Sequence, residues 1–341
     1  MSVIKSPGLE LNDMGYMQLS DNILNVLWTG YNFTEPFSVF RSLRLNTNVN
    51  MSNDFGGTIT GIGNEYNVNA NFKNFWHADI GGGYGVHQVS DRMLRGGPSM
   101  YLPNEGRLFF MMGTDDRKAI SGGFFGHAGW GAEDYYRETS YGVFMTFRPT
   151  NSLSISLRPS YSQNDHELQY VTQTEMNGDP RYIFGTIDQK VLSMSLRVNF
   201  SITPDLTIQY WGQPFTSSAD YSEFKMIADS KADQFTDRYH IYTSDQISLE
   251  DDIYLVDEDV DGNVDYDFEN PDFTWDEWLS NLVIRWEFLP GSTAYLVWSQ
   301  TRNNYIEDGT FDAWENMNIM FTEGKPNNNF MLKFSYRFGL R

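Results

Sequence analysis

The chain has no cysteine among its 341 residues, so it offers neither a disulfide framework nor a thiolate metal site. No apolar run approaches the roughly 18 residues that a membrane helix needs, and the mean hydropathy is −0.47. A helical span is therefore excluded, although strands that hide their apolar residues by alternation are not. Positive charge is scarce: 24 Lys and Arg face 45 Asp and Glu, a formal charge of −21. That balance speaks against nucleic acid as a partner; its plainer reading is solubility. The N-terminal stretch MSVIKSPGLELNDMGYM has no long apolar core and no small-residue cleavage site. An exported barrel needs a signal peptide, so the expectation is that it has been removed or that the chain is part of a longer one. Proximity of chemical groups is also thin. The five histidines show no metal-ligand spacing. Ser162 and Asn164-Asp165-His166 invite comparison with hydrolases that use Ser, His and Asn, but adjacency is not a triad. They fall at an expected loop tip, and no catalytic residue is assigned.

What the chain does have is aromatic residues, 16% of the total, placed with period two. The segment Asn281–Gln300 shows this most clearly. Leu282, Ile284, Trp286 and Phe288 point one way; Asn281, Arg285 and Glu287 point the other, with Val283 among them. After a Leu289-Pro290-Gly291-Ser292 turn, Ala294, Leu296 and Trp298 alternate with Thr293, Tyr295 and Ser299. Strands expected at 38–50, 137–148, 153–163 and 191–202 repeat the pattern, and the last of them sets Leu192 to Ile202 against Ser193, Ser195, Arg197 and Asn199. One face is oily and the other polar. That is the pattern of an antiparallel transmembrane β-barrel.

Connections alternate as well. Short turns are expected at 34–37, 73–74, 115–118, 149–151, 203–205 and 289–292, with longer loops between them, as in a bacterial outer-membrane barrel. Residues 1–22 read as an irregular segment, 23–341 as the barrel, 215–278 as a long acidic extracellular loop, and 311–323 as a short helix. About thirteen crossing strands are visible. Such barrels have even strand numbers, so an ascending strand should precede Ile23, and the expectation is a larger barrel that begins upstream of Met1. Gly81-Gly82-Gly83 within a strand reads as a bend.

Two constellations carry chemistry. Asp257, Asp259, Asp261, Asn263 and Asp265 match the first nine positions of a calcium loop, D-x-D-x-D-G-x-x-D, with Gly262 at the sharp turn and Val264 as the anchor. The twelfth position is Phe268 rather than a bidentate Glu, so an EF-hand is not expected. A calcium (Ca2+) staple and a solvated acidic loop both remain open. The second is the inward set Arg44, Arg148, Arg158, Arg197, Arg285, Glu287 and Arg337, expected to line the lumen. Charge selection of solutes and ordinary paired interior residues are both open readings. Trp275, Trp278 and Trp314 are the loop aromatics that could stack on a sugar.

The segments SPGLELNDMGYM, FRSLRLN, LRGGP, DQKVLSMSLRVNFSITPDLTIQYWGQPF, YSEFK and the block RWE-x-x-PGS-x-x-x-x-VW resemble the C-terminal barrel of the DUF5916 family over nearly the whole chain. The resemblance implies a Bacteroidetes-type protein of the Gram-negative outer membrane, with an upstream module similar to family 9 carbohydrate-binding domains. It supplies no reaction. The expected function is passage or docking of a ligand, perhaps glycan-derived, with outer-membrane lipid and a carbohydrate as partners. The alternatives are a non-transporting scaffold for the carbohydrate-binding module, and a soluble β-sandwich binding module.

Overall fold

A computed structural model describes residues 1–11, 17, 20–86 and 88–339. Asn12, Asp13 and Gly15 of the expected breakers, and His87, lie outside the described residues. The chain runs β1 (Ser2–Lys5), β2 (Asn22–Phe33), β3 (Phe40–Asn53), β4 (Ile59–Phe72), β5 (His77–Val86), β6 (Gln88–Ser90), β7 (Met100–Leu102), β8 (Glu105–Gly113), β9 (Ile120–Gly131), β10 (Tyr136–Thr150), β11 (Leu153–Met176), β12 (Asp179–Thr203) and β13 (Leu206–Ile227). It continues through β14 (Tyr239–Ile241), β15 (Ile247–Glu250), β16 (Ile253–Val256), β17 (Tyr266–Glu269), β18 (Phe273–Leu289), β19 (Ser292–Ile306), α1 (Ala313–Thr322) and β20 (Asn327–Ser335). The fold is all-β. One large antiparallel sheet runs β1-β2-β3-β4-β5-β8-β9-β10-β11-β12-β13-β18-β19-β20 in order. Among the described residues it is open: β1 and β20 are its edges and do not pair with each other.

Two boundaries differ from those expected. The segment 1–22 is not wholly irregular, because Ser2–Lys5 pairs antiparallel with Asn22–Asn25 and supplies an ascending strand beside β2. The loop 215–278 shrinks to 228–272, because β13 and β18 continue into it as a ladder reaching Ala219–Phe273. Residues 164–188 read as a long hairpin extension and form one, continuing β11 and β12 with register shifts between His166 and Gln169 and between Tyr170 and Thr172. It closes at Asn177-Gly178, both with positive φ (55° and 85°), between the paired Met176 and Asp179. Two such residues define the type I′ hairpin turn, whose twist matches the strands. This extension also removes the loop tip expected at His166, which is paired with both Tyr136 and Ile187 and whose ring packs on Tyr135 and Tyr136. The helix expected at 311–323 is α1, and Asp312 caps it by accepting from the backbone N–H of Trp314 and Glu315.

Alternation survives pairing. On β10, Tyr141, Val143, Met145 and Phe147 are exposed while Ser140, Gly142, Phe144 and Thr146 between them are half-buried. On β3, Leu45, Val49 and Met51 are exposed while Asn46, Asn48 and Asn50 are half-buried. The apolar face is thus the more exposed one. Trp286 is 54% and Phe334 66% exposed, so no second sheet covers them among the described residues, and the β-sandwich alternative loses its core.

The buried apolar residues sit elsewhere, at the end where β11–β13 outrun their neighbours. Leu94, Met100, Tyr135, Leu168, Phe184 and Phe235 form one cluster, gathered from the loop after β5, the β9–β10 link, β11, β12 and the loop after β13. Ile183, Phe224, Tyr242, Val256, Tyr266 and Phe268 form a second, which seats the small sheet β15-β16-β17 on the β12–β13 hairpin. Together they make a packed body at the long-loop end of the sheet.

Candidate functional site

The polar face is built by register. Arg44 Nε donates to Asn46 Oδ1 (2.8 Å), and Asn46 Nδ2 donates to Asn67 Oδ1 (2.6 Å) and Asn69 Oδ1 (3.1 Å) across the β3–β4 ladder. Asn69 then donates to Asp79 on β5. Higher on the same face Glu65 of β4 pairs with Arg107 of β8, over the intervening β5. Gly83 lies between them: a Cβ there would stand 3.1 Å from Glu65 Cγ and 2.7 Å from Asn64 O. No β-bulge interrupts Gly81-Gly82-Gly83, since β5 pairs with β4 and β8 without a register shift. The glycines instead let side chains from both neighbours meet over the strand. The face there opens into a cleft of about 380 Å³ lined by Asn50, Glu65, Gly83, Arg107, His127 and Glu138, among others. His127 Nδ1 stands 3.6 Å from Glu138 Oε1.

The expected lumen residues divide. Arg285 Nη2 donates to Glu287 Oε2 (2.7 Å), and Glu287 Oε1 accepts from Gly291 N–H (2.9 Å). Arg148 Nη1 donates to Asp116 O (2.8 Å). Arg158 lies over the Phe125 ring at 4.6 Å. Arg197 faces Trp211 on β13 and Ser156 on β11. Arg337 lies beyond β20, whose ladder ends at Ser335; its N–H donates to Ser292 Oγ (3.0 Å) and its side chain covers the Gly291 turn. It belongs to the rim rather than to a strand. The Glu65–Arg107 and His127–Glu138 pairs escape sequence reading because their partners are set by register across separate hairpins.

The acidic loop is a hairpin between β16 and β17. Carboxylate oxygens of Asp257, Asp259 and Asp265 lie within 4.8 Å of one another, a geometry that can hold a metal ion. Asp261 is not one of that trio, but its backbone N–H donates to Asp257 Oδ1 (3.0 Å) and Asp259 Oδ1 (3.2 Å). Asp261 Oδ1 accepts from the backbone N–H and the Nδ2 of Asn263 (both 2.9 Å). Gly262 takes the expected positive φ of 91°, and its N–H donates to Asp257 Oδ2 (2.7 Å). Val264 is not an anchor; it is 54% exposed. Phe268, where a bidentate Glu would stand, is buried in the second apolar cluster. Desolvation, followed by repulsion from Asp261, Asp265 and Asp257, raises the Asp259 carboxyl above its ordinary range; a bound cation would relieve that repulsion.

The loop is fastened to the rest of the molecule. Glu258 receives Arg181 from β12 through Nε–Oε2 at 2.8 Å and Nη2–Oε1 at 3.0 Å, and accepts from Tyr266 OH at 2.7 Å. Desolvation pushes its pKa up, but the hydrogen bonds from Arg181 and Tyr266 outweigh it and leave the carboxyl lowered. Of the tryptophans expected in loops, Trp275 and Trp278 are in β18, with Trp278 packed edge-on against Phe321; Trp314 is on α1 and exposed.

No curated protein and no solved structure shows significant similarity to the chain. Residues 2–338 match the model of a domain of unknown function, DUF5916. A match of that extent, over a sheet that runs the length of the chain, means that the protein belongs to the DUF5916 family.

Proposed function

We propose that this chain forms the wall of an outer-membrane β-barrel in a Gram-negative cell, and that the barrel serves passage or docking of a hydrophilic, glycan-derived ligand. One observation supports this reading above the others: the exposed face of the large sheet is the apolar one. Leaving one Leu or Phe side chain in water forgoes about 1.5–3 kcal/mol. Leu27, Ile80, Leu108, Phe110, Phe124, Val143, Met145, Trp286, Leu332 and Phe334 are all exposed. They are 41–75% exposed, so their sum is comparable to the roughly 5–15 kcal/mol by which a domain is stable, and a lipid environment accounts for the face better than water does. On β12 the apolar positions run from Leu192 to Phe200. At about 3.3 Å per residue and a tilt near 40°, that is about 20 Å of height, close to the ~25 Å of a barrel's apolar band. At the short-turn rim the rings of Phe33, Phe37, Phe40 and Phe72 follow one another at 5.3 Å, as an interfacial girdle would.

Strand direction limits how the sheet could close. β2 and β20 both descend toward the short-turn rim, so they cannot pair antiparallel with each other. An ascending strand fits between them, and β1 runs that way, although it covers only Asn22–Asn25. The test is reconstitution. The folded protein should migrate faster than its boiled form in detergent gels, and passage should give single-channel conductance in a planar bilayer. A folded, inserted, silent protein favours the scaffold instead. Monodisperse behaviour in detergent-free saline ends the barrel reading.

The scaffold reading has its own support. β11, β12 and β13 have 24, 25 and 22 residues, whereas crossing needs about 9–11. The surplus carries the packed body, which suits a surface platform for the carbohydrate-binding module that family resemblance implies. Within that body we assign calcium to Asp257, Asp259 and Asp265, in the role of a staple. Titration with calcium chloride should release or absorb measurable heat and protect 257–265 from protease. Asp259→Asn should weaken binding by about tenfold or more, since charge count tunes such sites. No heat and no protection ends the assignment.

A further inference from the structure

The arginines on the polar face are not alike. Arg44, Arg107, Arg148 and Arg285 each have an oxygen acceptor: Asn46, Glu65, Asp116 and Glu287 respectively. Arg158 and Arg197 have no hydrogen bond and no ion pair with any described residue, and both are exposed. They lie on adjacent strands. Arg158 is opposite Ser195, and Arg197 is opposite Ser156, so the two arginines are diagonal neighbours on one face. Diagonal positions in an antiparallel pair are roughly 7–8 Å apart; Arg158 leans toward β9 over the Phe125 ring, and turning from it toward β12 brings it within reach of one small ligand shared with Arg197. Around them the face presents hydroxyls. Ser160 and Ser193 share a hydrogen bond (2.9 Å), and Ser195 Oγ accepts from Trp211 Nε1 (3.2 Å), which leaves its own proton free to donate. The neighbouring positions along this face, Gly142 and Thr146 on β10 (opposite Ser160 and Ser156) and Gln209 and Trp211 on β13 (opposite Asn199 and Arg197), include no carboxylate.

We propose that Arg158 and Arg197 form an oxyanion-binding site on the polar wall of β11 and β12. The planar guanidinium fork matches carboxylate, sulfate and phosphate groups through paired N–H donors. Two forks with hydroxyl donors beside them make a site for one such group. In a chain with 45 acidic residues against 24 basic ones, carboxylate partners are abundant; leaving this pair without one reserves it for an incoming anion. Two aromatic planes flank the pair. Phe125 carries Arg158 on its face, and Trp211 stands opposite Arg197. The ligand class is therefore a hydrophilic solute bearing an acidic group, with room for a ring beside it. This deepens the reading of the polar face as a ligand wall and rests on that reading.

The experiment titrates the full chain, folded in non-ionic detergent at low chloride, with sodium sulfate, sodium phosphate and sodium glucuronate in separate runs. Saturable binding of at least one of them is expected. Arg158→Gln or Arg197→Gln should weaken it at least tenfold. Arg285→Gln, which removes a paired arginine, should leave it unchanged. Tighter binding of glucuronate than of the inorganic ions identifies a carboxylated sugar as the source; the reverse order identifies a sulfate or phosphate ester. The heat-dependent gel shift, taken on the same samples, keeps the two proposals apart. A preparation that shifts as a folded barrel but binds none of the three anions overturns this site and leaves the barrel standing. Binding that survives the double substitution also overturns it. Binding by a protein that stays soluble without detergent would keep the site and remove the barrel.

Discussion

Leu296→Arg is expected to destabilise the protein in lipid vesicles by about 2–4 kcal/mol, the range for a cation at the lipid-facing midplane of a barrel. Leu296 is paired with Ile284 on one side and Leu332 on the other, in the middle of the apolar band. It is 44% exposed, and this exposure makes the prediction decisive. In a water-soluble sheet, a half-exposed leucine tolerates arginine to within about 0.5 kcal/mol, because the charge is simply hydrated. In lipid the guanidinium must be buried without partners or must snorkel to an interface. Ser299→Arg provides the comparison. Ser299 is on the polar face opposite Asn281 and Asn329, so its substitution should cost under about 1 kcal/mol if that face is wet. Urea unfolding of both variants in the same vesicles measures the difference. Equal, small effects would remove the lipid face from the account.

The same contrast explains how much could be read from sequence. Alternation is a local property, so the apolar set of β10, β12 and β18 was legible residue by residue, and so were the short turns. Strand ends were not. Above Tyr161 the outward positions of β11 become Gln163 and Asp165; above Leu192 those of β12 become Lys190 and Asp188; above Pro214 those of β13 become Thr216 and Ser218. The apolar signal stops while the hydrogen-bonded ladder continues, so the extension of β13 reads as loop. Ser2–Lys5 escaped because four residues followed by Pro7 and Gly8 carry too little pattern.

The candidate sites were legible in type and only partly in membership. The acidic motif gave the five oxygen-bearing residues, but which of them converge depends on where the backbone reverses. Val260 and Gly262, both with positive φ, turn Asp261 toward Asn263 and leave Asp257, Asp259 and Asp265 together. On the polar face, composition identified the arginines. Register decided which of them meet an acceptor, and register is the part of a sheet that a single sequence specifies least directly.

Glu167→Ala should cost about 3–5 kcal/mol in the body at the long-loop end, the usual price of stranding a buried charge. Lys225 has no solvent exposure. Its Nζ reaches Glu167 Oε1 at 2.5 Å, Glu167 O at 3.1 Å and Thr186 Oγ1 at 2.9 Å, so its three donors are matched to three acceptors. The Tyr239 ring lies 5.1 Å from the ammonium. Glu167 is delivered by a register shift between His166 and Gln169, where its N–H donates to Tyr135 O (2.9 Å). Removing its carboxylate leaves the lysine two acceptors and no counter-charge. Glu167→Gln keeps an acceptor and should fall between Ala and wild type. Replacing both partners, as Glu167→Leu with Lys225→Met, should restore much of the loss, because an apolar pair avoids the desolvation that the ion pair must offset. Proteolysis at increasing urea reads the effect. The body packs β11–β13 against loops, and among the described residues its apolar clusters reach the other strands of the large sheet, β14 apart, only through Tyr136 at the start of β10, so it should open at lower urea while the remaining strands stay protected. A loss under about 1 kcal/mol for Glu167→Ala would mean that water already reaches Lys225, and that the body is looser than its packing implies.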